Sequence, residues 1–190
     1  MKNDTLQIVD LPLVHATREN VAEYGLFIGT DVPDAGLSIP FYKGSVEEGH
    51  NIPFECNGSA VIRSARVSKR SSEVTWLERH MAMTQLFIGL GDQPFAMVLG
   101  KPNHQQGKDL PDTDAIKCFI FPPGHGIMLH KGTWHDFPLC VNEPVTTLTA
   151  NSPEVVQALA SMKSPEEMNQ GDVYKIDIKK RLGKLLRANL

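Results

Sequence analysis

The chain has 190 residues, 41% of them hydrophobic and 22% charged, with a formal net charge of −3 at neutral pH. That length suits one domain and that balance an ordinary globular protein. The charge gives no reason to expect nucleic acid or an anionic membrane, and no stretch approaches the roughly 20 apolar residues of a membrane span. Residues 1–14 hold no apolar run of signal-peptide length. Cys56, Cys118 and Cys140 are far apart and form no Cys-x-x-Cys pair. Neither a disulfide framework nor a thiolate zinc site is signalled, so the cysteines read as buried small apolar residues and the compartment as the cytoplasm.

Residues 6–13 alternate loosely and suggest an edge strand. Residues 17–25 read as a short helix, with Thr17 able to cap its start and Gly25 to end it. Residues 31–59, rich in Gly, Pro and Asn, read as loop around short strands. Strand patterns then follow at 60–67, 74–80, 86–90, 95–99 and 116–121, separated by turn signals such as Gly91-Asp92 and Pro122-Pro123-Gly124. A polar loop at 100–114 interrupts the run, and 145–150 closes it. Short strands so spaced point to a sandwich or barrel. Ser152-Pro153 opens a helix over 154–162, and Ser164-Pro165-Glu166-Glu167 has the spacing of a capping box. Residues 173–178 suggest a last strand. Residues 179–188 suggest a basic amphipathic helix with Leu182, Leu185 and Leu186 on one face, suited to packing on the domain or a partner subunit. One domain over 1–162 with an extension over 163–190 is the resulting division.

Four of the seven histidines fall in two clusters, Leu77-Glu78-Arg79-His80 and the stretch from Gly124 to His135. On a strand, side chains two apart share a face, so Glu78 and His80 point one way with Trp76, and Arg79 the other. Charged and imidazole groups facing a barrel interior need a partner, water or a metal. Arg63 and Arg66, three apart, cannot both face inward on a regular strand; one of them can meet an anionic ligand. His15, His50 and His104 read as surface histidines, His125 as a turn residue, and Asp136 as solvent-exposed.

The spacing Glu78-x-His80, four residues, Gln85, five residues, Gly91 resembles the first motif of the cupin superfamily. Gly124, His130, Gly132 and His135 match the spacing of the second, with His130 where a proline is usual and Leu139 where an asparagine is usual. More closely, Leu77-Glu78-Arg79-His80, Thr84-Gln85-Leu86-Phe87-Ile88 and His130-x-x-x-Trp134-His135 resemble the ureidoglycolate lyase family, best over 78–138 and loosely over 6–150. The resemblance implies a mainly β, cupin-like jelly-roll barrel with short peripheral helices. It implies a homodimer in purine and allantoin degradation that splits ureidoglycolate into glyoxylate and urea.

Under that resemblance, Glu78, His80, Gln85 and His135 converge on one pocket and are the candidate ligands of a divalent Ni, Zn, Mn or Fe ion; a metal-free polar pocket is the alternative. His130 or His135 would take the substrate hydroxyl proton. His80, supported by Glu78, would protonate the departing nitrogen. Arg66 or Lys131 would hold the substrate carboxylate, and Gln85 and Trp134 would line the site. The chain exceeds typical members at 31–59, at 100–114 and after Met162. Two alternatives are therefore kept: a cupin hydrolase, isomerase or lyase for another small hydroxy or keto acid, and a non-catalytic small-acid binder.

Overall fold

The computed structural model describes residues 6–32 and 44–190. Their strands are β1 (Gln7–Asp10), β2 (Leu13–His15), β3 (Gly25–Ile28), β4 (Val61–Val67), β5 (Glu73–Val74), β6 (Trp76–Arg79), β7 (Gln85–Leu90), β8 (Phe95–Gly100), β9 (Lys117–Phe121), β10 (Gly126–Leu129), β11 (Trp134–His135), β12 (Leu139–Cys140) and β13 (Val145–Asn151). Helix α1 (Pro153–Ala160), β14 (Met168–Gln170), β15 (Val173–Asp177), α2 (Ile178–Leu182) and β16 (Lys184–Arg187) complete the order. The expectation of a mainly β, jelly-roll-like fold is borne out.

Three sheets form layers. A five-stranded sheet runs β3-β10-β7-β13-β4, and the largest runs β14-β15-β6-β11-β8-β9-β2 with β12 paired to β8. Phe87, Ile127, Leu129 and Val145 of the first meet Phe95, Met97, Leu99, Phe119 and Phe121 of the second in one core. The alternate residues of β8, Ala96 and Val98, face the other way, into a second core with Trp134, Ile176 and Leu186. That core is roofed by the small sheet β1-β16-β5. A strand with both faces covered has no polar alternation to show, which is why β8 reads as one apolar run.

Most middle strands lie where the sequence places them, and Ser152 caps α1 by accepting from the Val155 amide. Five expectations are corrected. Residues 18–24 form successive turns, not a helix, and Gly25 already begins β3, because the Asn20 side chain takes the Thr17 amide and the His15 carbonyl for itself. The single strand expected at 74–80 is β5 and β6, broken at Thr75, and that at 6–13 is the separate β1 and β2. Ser164 to Glu167 caps nothing; Glu167 instead accepts from the Asp177 amide and pairs with Arg181. The helix expected over 179–188 stops at Gly183, whose left-handed φ of 64° caps α2, and the chain continues as β16.

The segment after residue 162 is therefore not an extension laid on a finished barrel. Strand β15 pairs with β6, and β16 pairs in parallel with β1 and antiparallel with β5. Residues 33–43 of the expected loop at 31–59 lie outside the described residues. Among the described residues no helix is long and apolar enough to cross a membrane.

Candidate functional site

Sheet register builds the site. Glu78 on β6 lies opposite His135 of β11 on one side and opposite Lys175 of β15 on the other. Cross-strand partners present side chains to the same face, so Lys175, Glu78 and His135 form one row, and His80 joins it two residues along from Glu78. The face is the inner one: the Phe87 ring of the opposite sheet lies 6.1 Å from the His135 ring. Arg79 projects the other way, stacked between Trp134 and Tyr174.

Glu78 Oε1 is 3.8 Å from His80 Nε2 and 3.7 Å from His135 Nε2. These separations exceed a hydrogen bond. One ligand atom from each of the three residues lies within 4.8 Å of the others. Two ligands at ~2.1 Å from one ion in tetrahedral geometry stand about 3.4 Å apart, so a small inward movement brings this set onto a common cation.

Both imidazoles are already set for such a role. His80 Nδ1 lies 2.7 Å from the Asp172 carbonyl, and His135 Nδ1 lies 2.9 Å from the Thr133 carbonyl. A carbonyl only accepts, so Nδ1 carries a proton in each ring, and in the neutral imidazole Nε2 presents a lone pair. Each Nε2 is buried without a protein partner. Buried imidazoles, each anchored through one nitrogen and bare at the other, are the arrangement that ligating histidines adopt. Burial pushes the His135 pKa down to about 4, with His80 adding to the effect and Glu78 opposing it, so the ring is neutral near pH 7. Burial alone would raise the Glu78 carboxyl. His135, His80 and Lys175 outweigh it and hold the group below its ordinary value, as a carboxylate.

A cavity of about 350 Å³ opens beside the triad, walled by Arg63, Glu78, Gln85, Phe137, Thr149 and Asn151, among others. Gln85 donates from Nε2 to Asn151 Oδ1 at 2.6 Å, which leaves its buried Oε1 without a protein partner. Gln85 therefore stands in the wall of the same cavity, with its oxygen available to a ligand.

The remaining candidates lie elsewhere. Arg63 shares a row with Thr149 and Phe87, which face inward, whereas Arg66 shares one with Thr146 and Leu90 on the outer face and donates to Thr146 Oγ1. Arg63, not Arg66, is the arginine of this cavity. Lys131 pairs with Glu55. His130 is set by its ring Nε2, 3.2 Å from the Ala22 carbonyl, and lines a different cleft with Pro102, His104 and Lys131. Trp134 is buried in the outer core, its indole donating to Asn103, so it does not line the site. Asp136 is half-buried rather than solvated: burial raises its carboxyl and Arg70, at 2.8 Å, opposes that. His104 is half-buried, packed where a Cβ on Gly132 would stand. Cys118 and Cys140 are buried as expected; Cys56 is only partly so.

Two residues of the site were missed. Asp172 and Lys175 come from β15 and its turn, far along the chain, and no local spacing links them to Glu78. The signal available was the strand pattern at 173–178, whose lysine has the parity of a side chain flanked by inward neighbours.

The fold and the triad define a class, a layered β protein with a carboxylate and two imidazoles that could hold a metal ion gathered between its sheets. The family model described as Ureidoglycolate lyase matches residues 11–169, and the chain belongs to that family. It is 30% identical over 124 residues to a ureidoglycolate lyase of Pseudomonas fluorescens (strain Pf0-1), covering 63% of this chain and 70% of that protein. Against a ureidoglycolate lyase of Burkholderia mallei (strain NCTC 10229) the identity is 29% over 125 residues, covering 63% and 68%. Among solved structures, a dTDP sugar isomerase from Desulfovibrio desulfuricans G20 superposes with a TM-score of 0.38 at 13% identity, covering 66% of this chain and 74% of that one.

Proposed function

We propose that the protein cleaves the C–N bond of ureidoglycolate, releasing glyoxylate and urea, at the cavity beside Glu78, His80 and His135. The observation that carries this reading is the convergence of one carboxylate and two bare, buried Nε2 atoms on one another, with the carboxylate Glu78 also walling a cavity of small-metabolite size, in a chain of this family.

Ureidoglycolate is a carbinolamide. Its cleavage breaks the C–N and O–H bonds and forms a C=O and an N–H bond, so the net demand is a proton moved from the hydroxyl oxygen to the departing nitrogen. Glu78 Oε1 and the Nε2 atoms of His80 and His135 would hold a divalent cation, and Gln85 shares the cavity wall with Glu78. Such a cation would polarise the hydroxyl oxygen and favour loss of its proton. Arg63, in the cavity wall, takes over the carboxylate-binding role expected of Arg66 or Lys131. Lys175, with its Nζ 3.4 Å from Glu78 Oε2, is the candidate donor of a proton to the departing nitrogen, and the proton that leaves the hydroxyl returns to it, so that the enzyme ends as it began. Proton delivery by such a group contributes about 10²- to 10⁴-fold.

The test is a turnover assay that follows both products, on protein as isolated and after chelator treatment, with Glu78→Gln, His135→Ala and Arg63→Met alongside. Release of urea and glyoxylate above the spontaneous rate is expected. Glu78→Gln and His135→Ala should lower kcat/KM at least about 10²-fold while remaining folded, and Arg63→Met should act mainly through KM. No release by folded wild-type protein supplied with divalent metals would overturn the reading. A second copy of the chain as partner and a cytoplasmic setting are part of the same proposal.

A further inference from the structure

The turn between β14 and β15 is two residues long, Gly171-Asp172, between the paired residues Gln170 and Val173. Both turn residues have a φ of 57°, as a type I′ hairpin requires. Among the described residues Asp172 is the only non-glycine with positive φ. A left-handed residue that bears a side chain is held there by its surroundings, and such strain collects at functional sites. Gly171 is fixed as well: a Cβ on it would stand 2.8 Å from the Ala158 Cβ and 3.0 Å from the Glu154 carbonyl oxygen on α1.

What holds Asp172 is the strand end that carries His80. Its Oδ1 accepts from the Met81 amide at 2.7 Å and from the Ala82 amide at 2.9 Å. Its carbonyl accepts from His80 Nδ1. One residue thus clamps the backbone just after His80 and the ring of His80 itself. The residues matching the family model end at 169, so this turn lies beyond them.

We propose that Asp172 is a positioning residue for the site: it fixes His80 in the Nδ1–H tautomer and aims its bare Nε2 at Glu78. The proposal rests on the reading of Glu78, His80 and His135 as a ligand set. Asp172 touches no reacting atom; it acts through His80, as the Thr133 carbonyl acts through His135.

The test is long-range 15N–1H spectroscopy of the imidazoles in the full-length chain, freed of metal, together with titration by cobalt(II) followed through its visible absorption. In wild-type protein His80 and His135 should both carry the proton on Nδ1. In Asp172→Gly, which a type I′ turn tolerates, His80 should lose its single tautomer while His135 keeps its own. Cobalt affinity should fall about 10- to 100-fold, the usual cost of removing an outer support. Asp172→Asn, whose amide oxygen can accept from the same two amides at the same φ, should restore both readouts. A proton on Nε2 of wild-type His80, or a folded Asp172→Gly that keeps the tautomer and the cobalt affinity, would overturn the proposal. Should Asp172→Gly not fold, the wild-type spectrum still decides. Neither readout involves ureidoglycolate, so failure of the lyase reading leaves the result standing. Wild-type protein that binds no cobalt would refute the ligand set, while the tautomer still reports on the turn.

Discussion

Burying His135 next to Glu78 gives the native state a proton deficit. The ring is neutral in the folded chain down to about pH 4, against an ordinary value of 6.5. Between those values the unfolded chain takes up a proton that the native state does not. The stability is thus whole above pH 6.5 and drains away as the pH falls toward 4, by about 3 kcal/mol for this ring. Urea unfolding of metal-free protein across that range should show the loss, and His135→Gln should flatten it. His130 tests the opposite limb of the argument. It lies outside the triad cavity, so His130→Ala should keep kcat/KM within about threefold of wild type; a loss of 10²-fold or more would restore the acid–base role expected from its motif position. Parity made Glu78 and His80 legible from sequence, and motif spacing added His135. Parity was also available for the arginines. Val67 is a core residue, so Ala65 and Arg63, two and four positions away on β4, share its face and Arg66 does not. Nothing local points to Asp172 or Lys175, whose contacts with the site span 92 and 97 residues.

At the level of elements, glycine placement separates what was read correctly from what was not. Gly132 has a φ of 82°, and its amide donates to the His80 carbonyl at 2.7 Å. It joins the β10–β11 loop to the strand end bearing the triad. Gly132→Ala should cost at least 1–2 kcal/mol, roughly the penalty of a left-handed non-glycine, and more if the His104 ring cannot withdraw. Thermal unfolding measures that cost, and cobalt titration of the same variant shows whether the triad loosens with it. Gly183 carried an equally plain message. A glycine in the middle of a ten-residue amphipathic pattern is a helix end, and Leu185 and Leu186 beyond it pack as buried strand residues. The turns at 17–25 misled for a different reason: Thr17 and Gly25 are good helix ends, but Asn20 between them competes for the backbone.

Across the whole molecule, residues 171–190 contribute to the core. Val173, Ile176, Ile178, Leu185, Leu186 and Ala188 are all buried. At about 1.5–3 kcal/mol for each large side chain, their burial rivals the 5–15 kcal/mol by which a domain is stable at all. A chain ending at Gln170 should therefore lack a cooperative unfolding transition and near-ultraviolet circular dichroism, rather than survive as a barrel with a weakened site. The layered β architecture was legible from strand spacing and turns. The three-layer order was not, because the partner of each outer strand is set by long-range pairing that periodicity does not encode.

The parallel contact of β1 with β16 sets an order of events during synthesis. Residues 7–10 are made well before their hydrogen-bonding partner at 184–187, since Gln7 pairs with Lys184 and Asp10 with Arg187. Until then β1 has no strand partner, the outer core has no roof, and His80 has no carbonyl to hold its ring. The outer layer can close only when both of these distant segments are present, so its assembly rests on a long-range contact and should be slow beside that of a protein built from local contacts.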